Sequence, residues 1–116
     1  MITVAIELND AGILAASDPR VRVQSSPGYA LLDGKELLVG TEAQTRSRLK
    51  PRWVNNSYWD QLDSNPMPKP FPRHLSRADV VHTHLTHFWN QILHELGAGT
   101  NASTLLAIPG SFSVSQ

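Results

Sequence analysis

The first seventeen residues place the strongest constraint on what this chain folds into. Along the first nine residues apolar side chains alternate with polar or small ones, a period of two that is typical of a β-strand. The apolar positions are Ile2, Val4, Ile6 and Leu8. Residues 9–12 then combine Asn, Asp and Gly, which favour tight turns, and residues 13–16 are apolar again. The stretch therefore predicts a β-hairpin.

Glu7 is the residue that a plain hairpin does not explain. Its carboxylate stands near the end of the first predicted strand, just before the turn. Residues at the ends of strands and in the loops that follow them often contact ligands, because the strand holds them in place. The alternative is a strand-end carboxylate that is solvated or paired with an arginine.

Three further strands are predicted in the first forty residues. Residues 21–24 alternate, and residues 29–32 and 36–39 flank an Asp-Gly pair, which is most typical of a two-residue hairpin turn. Near the end of the chain, the apolar run at residues 104–108 indicates a central parallel strand.

Two helices are predicted. A short one begins with Thr41 and Gln44 as a capping box and ends near Lys50, and the longest begins with the capping box of Ser76 and Asp79. The predicted apolar face of the long helix consists of Val81, Leu85, Phe88, Trp89, Ile92 and Leu96. A neighbouring, mostly polar face carries Val80, His84, His87, Gln91 and His94. The histidine spacing on this face does not match a helical zinc site, so no metal is predicted.

Residues 51–73 form a proline-rich segment with aromatic side chains. Alternating prolines exclude a helix and favour extended backbone, and a loop of this length is usually functional or an insertion. We predict an insertion loop that packs on the domain through its aromatic residues, with Trp53 and Trp59 substantially buried. The prolines are residues 51, 66, 68, 70 and 72, and the aromatics are Trp53, Tyr58, Trp59 and Phe71.

Three stretches of the chain resemble the actin-like ATPases, especially the seventy-kilodalton heat-shock chaperones. Residues 4–12 look like the first phosphate-binding hairpin of that family. Residues 28–43 resemble its pair of short strands followed by Val-Gly and a helix, and residues 105–112 resemble its strand that ends in Val-Pro-Ala-x-Phe. The order and spacing of the stretches carry the resemblance.

The resemblance implies a fold and a domain organisation. The expected fold is α/β with a mixed sheet, of the ribonuclease H-like, actin-like kind: antiparallel hairpins, one parallel strand and two helices. Residues 1–116 would be a single partial domain, the first subdomain of an actin-like lobe, with residues 51–73 inserted. Related chains continue into a second lobe, so we expect this chain to be a truncated N-terminal piece.

The resemblance also implies a phosphate and magnesium site at Glu7, Asn9, Asp10, Ala11 and Gly12. Glu7 stands where the family has an Asp that acts through Mg²⁺. The turn departs from the family's Gly- and Thr-rich pattern, and Asp10 adds a negative charge beside the expected anion. No catalytic residue is assigned, because the segment where the chaperones carry a Lys has none here.

Two functions remain open. In the first, the chain is a fragment of the nucleotide-binding lobe of a chaperone-like ATPase, whose full-length parent uses ATP and Mg²⁺. The fragment alone is then expected to be inactive and to hold no cofactor. In the second, which the divergent turn favours, it is a degenerate, non-catalytic actin-like fold used for protein–protein interaction.

Composition narrows the possible partners. The 116 residues carry a formal net charge of zero and no cysteine, which gives no whole-chain case for nucleic acid and excludes disulfides. Basic residues outnumber acidic ones between Arg46 and Arg77, with aromatics among them, yet a solvated face explains this better than a nucleic-acid surface. With no apolar run long enough for a membrane span and no signal segment, we expect a cytoplasmic protein. The expected partners are the missing C-terminal part of the same protein and, for the isolated chain, a second copy in a homodimer.

Overall fold

The predicted N-terminal hairpin is part of a four-stranded mixed sheet. In the computed structural model, β1 (Ile2–Asn9) pairs antiparallel with β2 (Gly12–Asp18), which pairs antiparallel with β3 (Val23–Pro27). The last strand, β7 (Ala102–Ala107), lies parallel to β1, so the order is β3-β2-β1-β7. The structure describes residues 2–9, 11–18, 23–59, 61–97, 102–109 and 112.

A second, smaller sheet contains the other strands. The antiparallel hairpin of β4 (Ala30–Asp33) and β5 (Glu36–Val39) turns through Gly34 at φ 63°, as the Asp-Gly pair predicts. A two-residue strand, β6 (Val54–Asn55), adds to the free side of β4. The predicted α/β fold with antiparallel hairpins, one parallel strand and two helices is confirmed. The five predicted antiparallel strands are divided between two sheets.

The short helix α1 (Thr41–Arg46) does not begin as predicted. Its N-cap is Gly40, at φ 71°, and no side chain caps it. The Gly40 N–H donates to the carbonyl of Tyr29 at 2.8 Å, so a bond to the residue just before β4 fixes where the helix starts. The predicted Thr41 capping box is therefore wrong, and the helix ends before Lys50.

The long helix α2 (Arg77–Leu96) confirms its predicted capping box. The Asp79 N–H donates to Ser76 Oγ at 3.0 Å, and the Ser76 N–H donates to Asp79 Oδ2 at 2.9 Å. Both bonds satisfy amides that a helix start leaves without intrahelical partners. Neither helix in the described part of the chain combines the length and apolar character that a membrane crossing needs.

Helix α2 covers one face of the four-stranded sheet. Its Phe88 and Ile92 are only 2% and 3% exposed, and they belong to one buried cluster with the inward-facing side chains of β1 and β2. Burial of this kind stabilises a domain by about 25 cal/mol per Å² of apolar surface. The sheet residues of that cluster are Val4, Ile6, Leu8, Ile13 and Ala15.

The exposed apolar surface agrees only in part with the expectation for a partial lobe. That expectation is that part of the α2 face formed by Leu85, Phe88, Trp89 and Ile92 and one edge of the sheet are both open, but Phe88 and Ile92 are covered. The open residues are instead on β7 and just after it, where Leu105, Leu106 and Ile108 are 63%, 58% and 56% exposed. Within the described residues β7 is an edge strand rather than the predicted central one.

The segment 51–73 packs on the domain through some of its aromatic residues. Trp59 is 1% exposed and Phe71 4%, and both lie in the main buried cluster. Trp53 is 41% exposed because it sits in a one-turn 3-10 helix, Pro51–Trp53, at the surface. The prediction of burial is thus confirmed for Trp59 and wrong for Trp53.

Tryptophan fluorescence tests this division. We expect a variant that keeps only Trp59 (Trp53→Phe, Trp89→Phe) to emit at short wavelength and to resist quenching by acrylamide. The matching variant that keeps only Trp53 is expected to be quenched readily. Equal Stern–Volmer constants for the two variants would contradict the placement of Trp59 in the core.

Candidate functional site

The β1–β2 turn, where the sequence predicts the site, is a tight structure held by its own side chain. The Ala11 N–H donates to Asn9 Oδ1 at 2.9 Å, the side-chain-to-backbone bond by which asparagine stabilises turns. Asn9 and Gly12 face each other as the last pair of the two strands. Asp10, the other predicted residue of the turn, lies outside the described residues.

Glu7 lies on the face of the sheet that α2 does not cover. It pairs across the strands with Leu14 on one side and Ala107 on the other, and its side chain is exposed. Among the described residues no basic side chain forms an ion pair with it. Its side chain therefore lies exposed on the outer face near the turn.

Gly12 ties the turn to the end of β3. A Cβ placed on Gly12, whose φ is 142°, would lie 2.2 Å from the carbonyl oxygen of Ser26. One residue earlier, the Ala11 carbonyl accepts a bond from the Gly28 N–H at 2.8 Å. The close approach of two backbones needs a residue without a side chain, so Gly12 is required by packing as well as by the turn.

A shallow pocket opens beside this turn. Its volume is about 410 Å³, and it lies between the turn, the end of β3 and the start of α1. Apolar and uncharged polar residues share its wall, and none of the described lining residues carries a charge. The lining residues are Asn9, Ala11, Gly12, Ile13, Leu14, Ser25, Ser26, Pro27, Thr41 and Gln44. Three of the predicted site residues, Asn9, Ala11 and Gly12, therefore border one cavity.

Ser26 connects the pocket to a buried polar cluster. His84 of α2 is completely buried, and its Nε2 lies 2.7 Å from Ser26 Oγ. Its other ring nitrogen, Nδ1, lies 3.2 Å from Trp59 Nε1 and 3.0 Å from the hydroxyl of Tyr58. Residues from β3, from the 51–73 segment and from α2 thus meet at one imidazole.

The direction of these bonds follows from the indole. Trp59 Nε1–H can only donate, so Nδ1 of His84 is the acceptor, and the hydrogen of the neutral ring is on Nε2. His84 therefore donates to Ser26. Burial, with a smaller contribution from His87, lowers the pKa of His84 to about 4, so the ring is neutral at pH 7. Burial also raises the pKa of the Tyr58 phenol.

This polarity excludes a serine nucleophile activated by His84. A general base must accept the hydroxyl proton, but the nitrogen that faces Ser26 already carries a hydrogen. The cluster fixes the positions of its members instead. A Cβ on Gly40 would lie 2.5 Å from Ser26 Oγ, which shows how closely the backbone packs around the pair.

The sequence interpretation placed His84 with His87 and His94 on a polar face of the helix, and this is wrong for His84. A signal was present: His84 lies four residues from both Val80 and Phe88, on a stripe that faces the core. His87 and His94 are exposed. No group of three or more metal-ligating side chains comes together in the described ranges.

Ion pairs partly neutralise the basic residues between Arg46 and Arg77. Asp33 bonds to Lys50 Nζ at 2.5 Å and to Arg46 at 3.1 Å, and Arg77 bonds to Asp63 at 3.3 Å. The Lys50 ammonium, followed by Arg46, holds the pKa of Asp33 below its usual value despite some burial. Exposed pairs like these contribute little to stability, but they reduce the positive charge available to an anionic polymer.

Comparison with known proteins identifies the fold. No protein-family model matches the chain, and no curated protein matches it either. Among solved structures, MreB5 of Spiroplasma citri bound to ADP matches with a TM-score of 0.61 at 15% sequence identity. The match covers 97% of this chain and 31% of the MreB5 chain. The chain therefore has the fold of an actin-like ATPase subdomain, and it spans about a third of that protein's length.

Proposed function

We propose that this chain is the first subdomain of the nucleotide-binding lobe of a cytoplasmic, chaperone-like ATPase, and that its β1–β2 turn contacts the nucleotide phosphates. The observation that carries the proposal is the actin-like fold shared with a protein that binds ADP. In support, Asn9, Ala11 and Gly12 border a pocket of about 410 Å³ beside the turn. Glu7 is exposed and lies two residues before Asn9 in the sequence.

In the proposed site, backbone amides bind the phosphates and the Glu7 carboxylate binds the magnesium ion. The Ala11 N–H would exchange its bond to Asn9 Oδ1 for a bond to a phosphate oxygen, since N–H groups in a turn form a concave anion site. Glu7 would hold Mg²⁺ through water, as hard cations keep several waters and take few carboxylate ligands. A C-terminal part of the same protein would hold the rest of the nucleotide, because the structural match covers only 31% of the ADP-bound MreB5 chain.

Nuclear magnetic resonance titration with MgADP tests the phosphate contact. We expect weak binding, in roughly the millimolar range, with amide shifts concentrated at Asn9, Ala11 and Gly12. Glu7→Gln is expected to weaken MgADP binding roughly tenfold, the effect of losing one charged contact. Glu36→Gln, an exposed carboxylate of the other sheet, is the matched control and should leave binding unchanged. Shifts confined to the second sheet would contradict the proposal.

No ATP hydrolysis is expected from the chain alone. A phosphoryl transfer site needs groups on both sides of the phosphate, and the described residues supply one side. Steady-state phosphate release at saturating MgATP should equal that of a buffer blank. Turnover that disappears in Glu7→Gln would overturn this expectation.

A second candidate is a non-catalytic actin-like fold that serves protein–protein contact. Two observations favour it: the Asn-Asp-Ala sequence of the turn, which lacks the family's Gly and Thr, and the exposed apolar residues of β7. The titration separates the two functions. If MgADP produces no shift at Asn9, Ala11 or Gly12 at millimolar concentration, this second function replaces the first.

A further inference from the structure

We propose that His84 is a positioning residue for the phosphate-contacting turn: it holds the end of β3, and β3 holds the turn between β1 and β2. The inference rests on the proposed function, since it concerns the same pocket. His84 acts through Ser26, which lines that pocket and whose Oγ lies 2.7 Å from His84 Nε2. The two residues are 0% and 6% exposed, so their contact is independent of what lies against the surface of the domain.

Strand β3 holds the turn through its backbone. The Ala11 carbonyl accepts a hydrogen bond from the Gly28 N–H at 2.8 Å. Ser26 pairs with Ile13, and its carbonyl oxygen lies so close to Gly12 that a Cβ there would be 2.2 Å away. Ala11 and Gly12 therefore cannot shift unless the end of β3 shifts with them.

The same two side chains also locate the start of α1. A Cβ on Gly40, the N-cap of that helix, would lie 2.5 Å from Ser26 Oγ and 3.4 Å from His84 Nε2. Thr41, the next residue, lines the pocket. The parts of the pocket wall that come from β3 and from α1 therefore meet at the hydrogen bond between His84 and Ser26.

The hydrogen bond gives this junction one geometry. Trp59 Nε1–H donates to Nδ1 of His84, so Nε2 carries the hydrogen and donates to Ser26. Because hydrogen bonds are directional and stronger in a low-dielectric interior, a satisfied buried network favours a single arrangement of its members. An apolar side chain of similar size would fill the space without fixing the distance between α2 and β3. We therefore expect loss of the bond to change the affinity for nucleotide as well as the stability.

Nuclear magnetic resonance titration with MgADP tests this expectation. His84→Leu removes the donor and should weaken MgADP binding about fivefold or more. His84→Gln places an amide N–H near the position of Nε2 and should bind within about twofold of the wild type. His87→Leu is the matched control, because His87 is exposed on the same helix, and it should bind like the wild type. A merely structural role for His84 would lower the stability of His84→Leu and leave the affinity of its folded fraction unchanged.

Amide hydrogen exchange in the free chain tests the same link without nucleotide. In His84→Leu the Gly28 N–H, which donates to the Ala11 carbonyl, should exchange about tenfold faster relative to the amides paired between β4 and β5. Those amides belong to the other sheet, so the ratio corrects for a general loss of stability. If His84→Leu does not fold, Ser26→Ala removes the other partner of the bond and takes its place in the exchange measurement.

The outcomes distinguish this inference from the proposed function. If MgADP shifts no amide of Asn9, Ala11 or Gly12 in the wild type, the proposed function is wrong, and exchange at Gly28 alone decides whether His84 positions the turn. If the wild type binds MgADP and folded His84→Leu binds it equally well, the proposed function stands and the inference is overturned. Unchanged relative exchange at Gly28, or His84→Gln binding no better than His84→Leu, also overturns it.

Discussion

Lowering the pH from 7 to 5 is expected to reduce the free energy of unfolding by about 2 kcal/mol through one side chain, His84. In the folded protein its pKa is about 4, while the ordinary value is 6.5. Above pH 6.5 the imidazole is neutral in both states, and its contribution to stability is fully present. Between pH 6.5 and 4 only the unfolded chain takes up the proton, so each pH unit costs about 1.4 kcal/mol.

The geometry of the cluster explains why His84 stays unprotonated in the folded state at these pH values. A hydrogen on Nδ1 of His84 would face the indole N–H of Trp59, which can only donate. His87, on the same helix, adds a like charge when it is protonated. The carboxylates of Asp33, Asp63 and Asp79 have pKa values below 3.8 in the folded state, so they act at lower pH.

Urea unfolding at pH 7 and pH 5 measures the effect. The difference between the two free energies should largely disappear in His84→Gln, which cannot titrate, and it should persist in His87→Gln, where the lost imidazole is exposed. The two variants differ in the position of one histidine on the same helix. If His84→Gln does not fold, a direct proton resonance titration of His84 in the wild type decides: a midpoint near 6.5 would contradict the buried, neutral ring.

Gly12→Ala is expected to be among the most destabilising single substitutions in the chain, at about 3–5 kcal/mol. Two costs add. The backbone of Gly12 has φ 142°, which a residue with a side chain adopts only under strain, and the new Cβ would lie 2.2 Å from the Ser26 carbonyl oxygen. The obstacle is backbone within a paired strand, so it cannot turn away as a flexible side chain would.

Gly34→Ala is the control, because Gly34 also has a positive φ, 63°, but no atom within 4 Å of its would-be Cβ. We expect this variant to lose only about 1 kcal/mol, the conformational cost alone. Chemical denaturation of both variants gives the comparison. Equal losses would mean that the contact between the turn and β3 is loose, and would remove the packing argument for Gly12.

The sequence by itself determined the features that depend on neighbouring residues. Alternation from Ile2 to Leu8 gave the first strand, the Asp-Gly pair gave the β4–β5 hairpin, and the capping box of Ser76 and Asp79 gave the start of α2. Each of these rests on backbone geometry or on bonds spanning a few residues. Such interactions are the same wherever the segment lies, so the local pattern suffices to predict them.

The tertiary structure alone decided the features that depend on distant partners. The sequence pattern predicts that His84 lies on a polar face of its helix. The side chain is buried instead, because Ser26, Tyr58 and Trp59 form hydrogen bonds with both ring nitrogens. The N-cap of helix α1 is Gly40 rather than Thr41, since a bond to Tyr29 fixes the chain there. Burying a polar group is favourable only when its partners are in place, and no local pattern specifies partners that lie 25 to 58 residues away in the chain.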